Sequence, residues 1–273
     1  MKKCFSLWLT VLISIHSTFA QVNQTKDSSP YHTTLLKDGA IIAGGIGLNV
    51  LGYSLIQNKK DLNPAALATK TPDKVPFFDR SSAGFYSPKA DEDSYIPFKA
   101  SFVMPVLMAL VNKNERHKLG QVLVLYTETM AITGAVFTMT TGTVYRSRPY
   151  VYGTKAPEEL RIDKNSQRAF FAGHTAATAA ATFFMAKVFA DFNPDSKAKP
   201  YVWAFAAAVP AAVGYLRYQA GMHFLSDNIL GYLVGMGAGI FVPQLHRIKG
   251  MRNVSFSPTI GNGSKGLAVS VRL

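Results

Sequence analysis

Six long apolar stretches, parted by polar and proline-rich segments, organise this chain: Ala40–Ile56, Phe98–Val111, Leu119–Gly142, Thr175–Ala190, Val202–Leu216 and Ile229–Val242. Each is too long for an ordinary strand and nearly free of charge, so each predicts a helix. Leu119–Gly142 carries one charge, Glu128, and is long enough to cross a bilayer. Phe98–Val111 contains Pro105 and falls short of the roughly 20 residues that a spanning helix needs. Asn58–Pro97 and Arg146–Arg168 are rich in proline and charge and predict loops with short helical turns. After Pro243 the period changes. Asn253–Ile260 and Gly266–Leu273 alternate apolar and polar residues around Gly261–Lys265, which predicts a C-terminal β-hairpin. The pattern describes an all-α bundle of about six core helices over residues 36–248, followed by a tail at 251–273.

The N-terminus adds an address. Lys2-Lys3, an apolar run from Phe5 to Ile15, and Ser17-Thr18-Phe19-Ala20 have the order of a signal peptide spanning residues 1–20. The one cysteine, Cys4, falls inside that segment, so disulfides are not expected to hold the fold. The formal charge is +13 at pH 7. An excess of that size suits an anionic partner such as a phosphorylated lipid or an acidic membrane surface. Nucleic acid is not expected, because the basic residues punctuate apolar helices and no nucleic-acid-binding module is present.

Candidate chemistry sits in two clusters. One holds Arg146, Arg148, Gly173 and His174, and the other holds Arg217, His223 and Asp227. The chain has six histidines, and two of them belong to these clusters. Arginine offers a planar fork of donors to phosphate oxygens, and histidine can attack phosphorus or move a proton near neutral pH. His223 and Asp227 are four apart, so a helix through both would bring the carboxylate to the imidazole. Gly173-His174 opens an Ala/Thr-rich run that reads as a helix start, a natural anion site. This is a residue set for phosphoryl transfer without a metal. No clustered carboxylate or cysteine motif suggests a metal centre, and no cofactor is expected.

With these residues stated, the chain resembles the type 2 phosphatidic acid phosphatase (PAP2) superfamily, which shares its fold with vanadium haloperoxidases. The family pattern is Lys, six residues, Arg-Pro; then Pro-Ser-Gly-His; then Ser-Arg, five residues, His, three residues, Asp. Arg148-Pro149, Gly173-His174, and Arg217, His223 and Asp227 match it over about 80 residues. The resemblance implies a PAP2-type helical bundle. In it His223 is the nucleophile oriented by Asp227, His174 the proton donor and then the activator of water, and Arg148, Arg217 and Gly173 the phosphate donors. It departs at Thr141, Ala172 and Leu216, where the family has Lys, Ser and Ser. Arg146 is expected to supply the missing charge, with Lys155, Arg161, Lys164 and Arg168 as alternatives. Losing one preorganised donor costs about 3 kcal/mol of transition-state stabilisation.

The resemblance implies a metal-independent phosphohydrolase acting through a phosphohistidine. Its substrate would be a phosphorylated lipid (phosphatidate, phosphatidylglycerophosphate, a polyprenyl diphosphate or lipid A) or a small phosphate ester. The rival readings are a catalytically silent exported binding or scaffold protein and a vanadate-dependent haloperoxidase. Two locations fit: the inner membrane with a periplasm-facing site, or the soluble periplasm, the latter favoured by a mean hydropathy of only +0.10. A cleaved signal leaves the mature N-terminus outside, so an outward-facing site needs an even number of crossings before Arg148. Phe98–Val111 is the segment expected not to span.

Overall fold

The computed structural model describes residues 29–248 and the backbone of 254–261 and 264–271. The expected signal peptide at 1–20 lies outside the described residues. Six long helices build the bundle: α1 (Leu35–Gln57), α2 (Pro88–Val111), α3 (Leu119–Thr143), α4 (Gly173–Phe192), α5 (Lys199–Gln219) and α6 (Leu225–Leu245). All six apolar stretches are helical, and each helix extends beyond the stretch that announced it.

α4 is the axis of the bundle. Nearly all of its side chains are buried, and it packs on α6, α5, α2 and α3. Small residues allow the closest of these approaches. Gly231, Gly235 and Gly239 recur every four residues along one face of α6, against the carbonyls of Ala172, Ala176 and Ala180. A Cβ at Gly235 would lie 2.0 Å from the Ala176 oxygen, so any side chain there would force the helices apart. α1 and α3 meet in the same way, with Gly52 against the Thr138 backbone and Gly45 against Ala131. Several polar atoms inside the bundle find local partners. Thr129 and Thr133 donate to the carbonyls four residues back at 2.8 and 2.7 Å. Pro210 leaves the Ala206 carbonyl without its helical donor, and the Thr182 hydroxyl supplies one at 2.9 Å.

The expectation for Phe98–Val111 is corrected. The helix begins ten residues earlier, at Pro88, and its 24 residues pass through Pro97 and Pro105. Ser87 caps it by accepting from the Ala90 amide at 3.2 Å, and Pro88 and Asp91 occupy the first turn, a start signal hidden in a charged stretch. The tail also differs in detail. β1 (Val254–Gly261) and β2 (Ser264–Val271) pair antiparallel with Gly261 opposite Ser264. Two residues, Asn262-Gly263, therefore separate the strands where five were expected, and Asn-Gly is the dipeptide that two-residue hairpins favour.

Among the described residues four helices, α1, α2, α3 and α6, are long and apolar enough to cross a membrane. Their outward faces carry Leu36, Val50, Leu51, Leu107, Val111, Ile229, Leu233 and Phe241, all exposed. A band of this kind belongs in lipid, which supports membrane association and counts against the soluble alternative. α1, α2 and α3 all precede Arg148, so if each crosses, three crossings, not two, separate residues 29–34 from it. The orientation then depends on the first segment: if it is cleaved, or itself crosses, the loop after α3 faces the cytoplasm.

The test is labelling from outside the cell with a membrane-impermeant thiol reagent, in a chain with Cys4 replaced. Single cysteines at His32 and Lys155 should be labelled one and not the other. Labelling of both would remove the three-crossing reading.

Candidate phosphate site

The site forms at one end of the bundle, where the Asn58–Ser87 and Val144–Ala172 loops meet the ends of α4, α5 and α6. Residues 146–148 and 166–169 run side by side. The Arg148 amide donates to Ser166 at 2.7 Å, and the Ala169 amide donates to Arg146 at 3.0 Å. This pairing, with Arg146 bridged to Arg168, brings Arg148 and Arg168 to the same side of the bundle end. Lys59, at the end of α1, fixes the corner by donating to the Val144 carbonyl at 2.6 Å and the Gln167 carbonyl at 3.3 Å. Burial, with Arg168 adding to it, pushes the Lys59 amine down to about 8.

A cavity of about 300 Å³ opens there, lined by Phe98, Phe137, Arg148, Arg168, Gly173, His174, Ala177, Arg217 and His223. Three arginines and two histidines face it, and none of the nine lining residues is a carboxylate. The buried Nε atoms of Arg168 and Arg217 have no hydrogen-bond partner in the structure. Buried donors left open in a positive cavity are the arrangement an oxyanion completes. α4 adds to it, because its N-cap is Ala172 with no side-chain cap, which leaves its first amides available at the positive end of the dipole. Gly173 is required at this point, since a Cβ would come within 2.5 Å of the Phe137 ring.

His223 stands in the turn between α5 and α6, and 3% of it is exposed. Gly221, at φ +71°, makes that turn possible; a Cβ there would overlap the Phe85 carbonyl. The Arg217 carbonyl then accepts from the Met222 amide at 3.1 Å and the His223 amide at 3.4 Å. His223 Nδ1 lies 2.7 Å from the Ala169 carbonyl, which can only accept, so Nδ1 carries the hydrogen and Nε2 keeps its lone pair. Burial, reinforced by Arg148 and Arg217, pushes the His223 imidazole well below its ordinary range. His174, packed edge-on to Tyr95 and tilted against Phe98, is pushed down to about 3 by burial and then by Arg217 and Arg148. Arg217 is itself held by Asp91 and, at 3.3 Å, by Ser94, both from α2.

Of the expected site residues, His174, His223, Arg148, Arg217 and Gly173 meet in the cavity. Asp227 and Arg146 do not line it. α6 starts only at Leu225, so His223 and Asp227 never share a helical face. Asp227 instead caps α6, accepting from the Phe224 amide at 2.9 Å, and pairs with Arg146. Arg146 pairs at the same time with buried Asp79, which also accepts from Ser226 Oγ at 2.6 Å. Arg146 is thus engaged by two carboxylates and stands outside the cavity lining. The orienting bond expected of Asp227 comes from the Ala169 carbonyl, and the third cavity arginine is Arg168, one of the alternatives to Arg146. The residues at the departed positions are packed away too: the Thr141 hydroxyl donates to the Phe170 carbonyl at 3.3 Å, and Ala172 lies against Gly231. Sequence reasoning missed Lys59 and Asp79, whose charge-rich loop offers no spacing signal. It also missed a buried group at the other end of the bundle, Asp38, Glu128 and His246.

Residues 122–250, running from within α3 to beyond α6, match the model of the PAP2 superfamily. No curated protein matches the chain. A solved structure similar to it is that of the first transmembrane PAP2-type phosphatidylglycerolphosphate phosphatase from Bacillus subtilis. That protein is 16% identical, and the alignment covers 76% of this chain and 94% of that one at a TM-score of 0.43. α1 and α2 lie before the matched stretch, yet α2 supplies Asp91, Tyr95 and Phe98 to the site.

Two measurements check this geometry. Arg168→Ala should weaken binding of inorganic phosphate or vanadate on the order of 100-fold, while Arg146→Ala should lower thermal stability more than it lowers anion affinity. Equal affinity losses in both would return Arg146 to the cavity. The second measurement is stability against pH. An imidazole that resists protonation only when folded contributes stability that is complete above about pH 6.5 and is lost progressively as pH falls toward 3. His174→Gln should therefore reduce the drop in Tm between pH 7 and pH 5, and an undiminished drop would refute the depressed imidazole.

Proposed function

We propose that this protein is a phosphohydrolase that removes phosphate from a phosphorylated lipid through a phosphohistidine intermediate. The observation that carries the reading is the cavity itself, in which two neutral imidazoles share one space with three arginines and no carboxylate. His223 Nε2 attacks phosphorus, the N–P bond forms, and the bond to the leaving oxygen breaks while Arg148, Arg168, Arg217 and the α4 amides hold the equatorial oxygens. His174 gives its proton to the leaving oxygen. A water then attacks phosphorus and passes its proton to His174. The N–P bond breaks, and inorganic phosphate and neutral His223 are released.

The depressed His174 imidazole fits the second half of this cycle directly, since a base must be neutral. In the first half it must carry a proton, and the substrate provides the means. A phosphate anion in the cavity offsets the arginines that hold its affinity down. Protonation of His174 is thereby coupled to substrate binding. A lipid is favoured over a soluble ester because four helices suit a membrane and the cavity wall is shared by Phe98, Phe137 and Ala177. In this reading the cavity faces away from the cytoplasm.

The test is phosphate release by purified protein from phosphatidate, phosphatidylglycerophosphate, a polyprenyl diphosphate, lipid A and a soluble monoester, with acid-quench trapping of labelled phosphoenzyme. Release and trapping should both vanish in His223→Ala. Label on another residue would overturn the nucleophile. Anion binding without release from any substrate would favour a binding protein.

A further inference from the structure

At the end of the bundle opposite the cavity, three buried groups from distant parts of the chain converge. Asp38 belongs to the first turn of α1, Glu128 to the third turn of α3, and His246 caps the C-terminus of α6. Asp38 and Glu128 are each 2% exposed and His246 is 7% exposed. One ligand-type atom from each lies within 4.8 Å of the other two. We propose that Asp38, Glu128 and His246 form a structural site for one divalent metal ion of the zinc or manganese class.

The geometry around the imidazole supports this. His246 Nδ1 lies 2.8 Å from the Val242 carbonyl, so the hydrogen sits on Nδ1 and the Nε2 lone pair faces the carboxylates. A metal-bound histidine is commonly oriented by such a bond. Nε2 lies 2.9 Å from Asp38 Oδ1 and 3.4 Å from Glu128 Oε2. Even a doubly protonated ring has one hydrogen on Nε2, and it cannot point well at both oxygens. Glu128 Oε2 is buried and makes no hydrogen bond, although it is aimed into the cluster. The second Asp38 oxygen accepts from the Thr34 amide, which leaves Oδ1 turned inward.

One nitrogen and two oxygens suit zinc or manganese better than calcium, which takes six to eight oxygens. The role is mechanical. The ion would fasten α6 to α1 and α3, where Pro30 and His32 already pair with Ile248 and His246 through the backbone. At 1.5 Å per residue, His246 lies about 28 Å along α6 from Asp227, so the ion takes no part in the chemistry of the cavity.

The test uses full-length protein in detergent, stripped with chelator and dialysed against zinc chloride or manganese chloride, with bound metal measured by mass spectrometry. One equivalent per chain is expected for one of the two ions, with less than a tenth of that in Glu128→Gln and in His246→Gln. A hundredfold excess of ion over its dissociation constant should favour the folded wild type by about 100-fold, read as a rise in Tm absent from Glu128→Gln. This wild-type measurement stands even if the variants fold poorly. No stoichiometric binding would overturn the site, as would equal binding in wild type and folded Glu128→Gln, which marks adventitious histidine binding.

Discussion

The arrangement of this site depends on where buried positive charge is neutralised. Four arginines crowd one end of the bundle, and the carboxylates near them are unevenly shared. Arg146 is given two, Asp79 and Asp227, and becomes part of the frame. Arg217 is given one, Asp91, and lines the cavity, with its buried Nε making no hydrogen bond. Arg148 and Arg168 receive neutral acceptors, the Asn165 carbonyl and the Asn165 side chain. The positive field therefore survives only where the two histidines can feel it. Removing Asp79 would not simply lose an ion pair; it would free Arg146 and loosen the loop that shapes the cavity.

This division also explains what could be read from the chain beforehand. The six helices were legible because apolar runs of that length permit nothing else in a bundle of this kind. His174, His223, Arg148 and Arg217, which meet in the cavity, were legible because their spacing matches a family pattern. Arg146 and Arg168 were not separable. Both flank the same loop, and only its folding back in parallel sends one outward to Asp79 and the other into the cavity. The spacing of His223 and Asp227 misled for a related reason, since four residues place two side chains together on a helix, and Gly221 ends the helix before either.

Longer separations were beyond reach. His246 and Asp38 are 208 positions apart, and each looks unremarkable in its own neighbourhood. The start of α2 was masked because Lys89-Ala90-Asp91-Glu92-Asp93 has the composition of a loop. Those charges have separate duties: Asp91 reaches Arg217, while Lys89 and Asp93 pair on the surface. A polar first turn on an otherwise apolar helix is what a site at a membrane boundary requires.

The close packing of α4 on α6 links these features. Glycines at 231, 235 and 239 let the two helices run nearly in contact, and this puts Ala172, Gly173 and His174 beside the first turn of α6. The Ala172 amide then donates to the Asp227 carbonyl at 3.1 Å, joining the N-terminal end of α4 to the helix that the Arg146 network caps. A serine at 172 would start from this packed seam rather than from the cavity wall. The loss of the family hydroxyl therefore coincides with an α4–α6 contact too tight to present one. Arg168, entering from the opposite loop, is the donor that this geometry still admits.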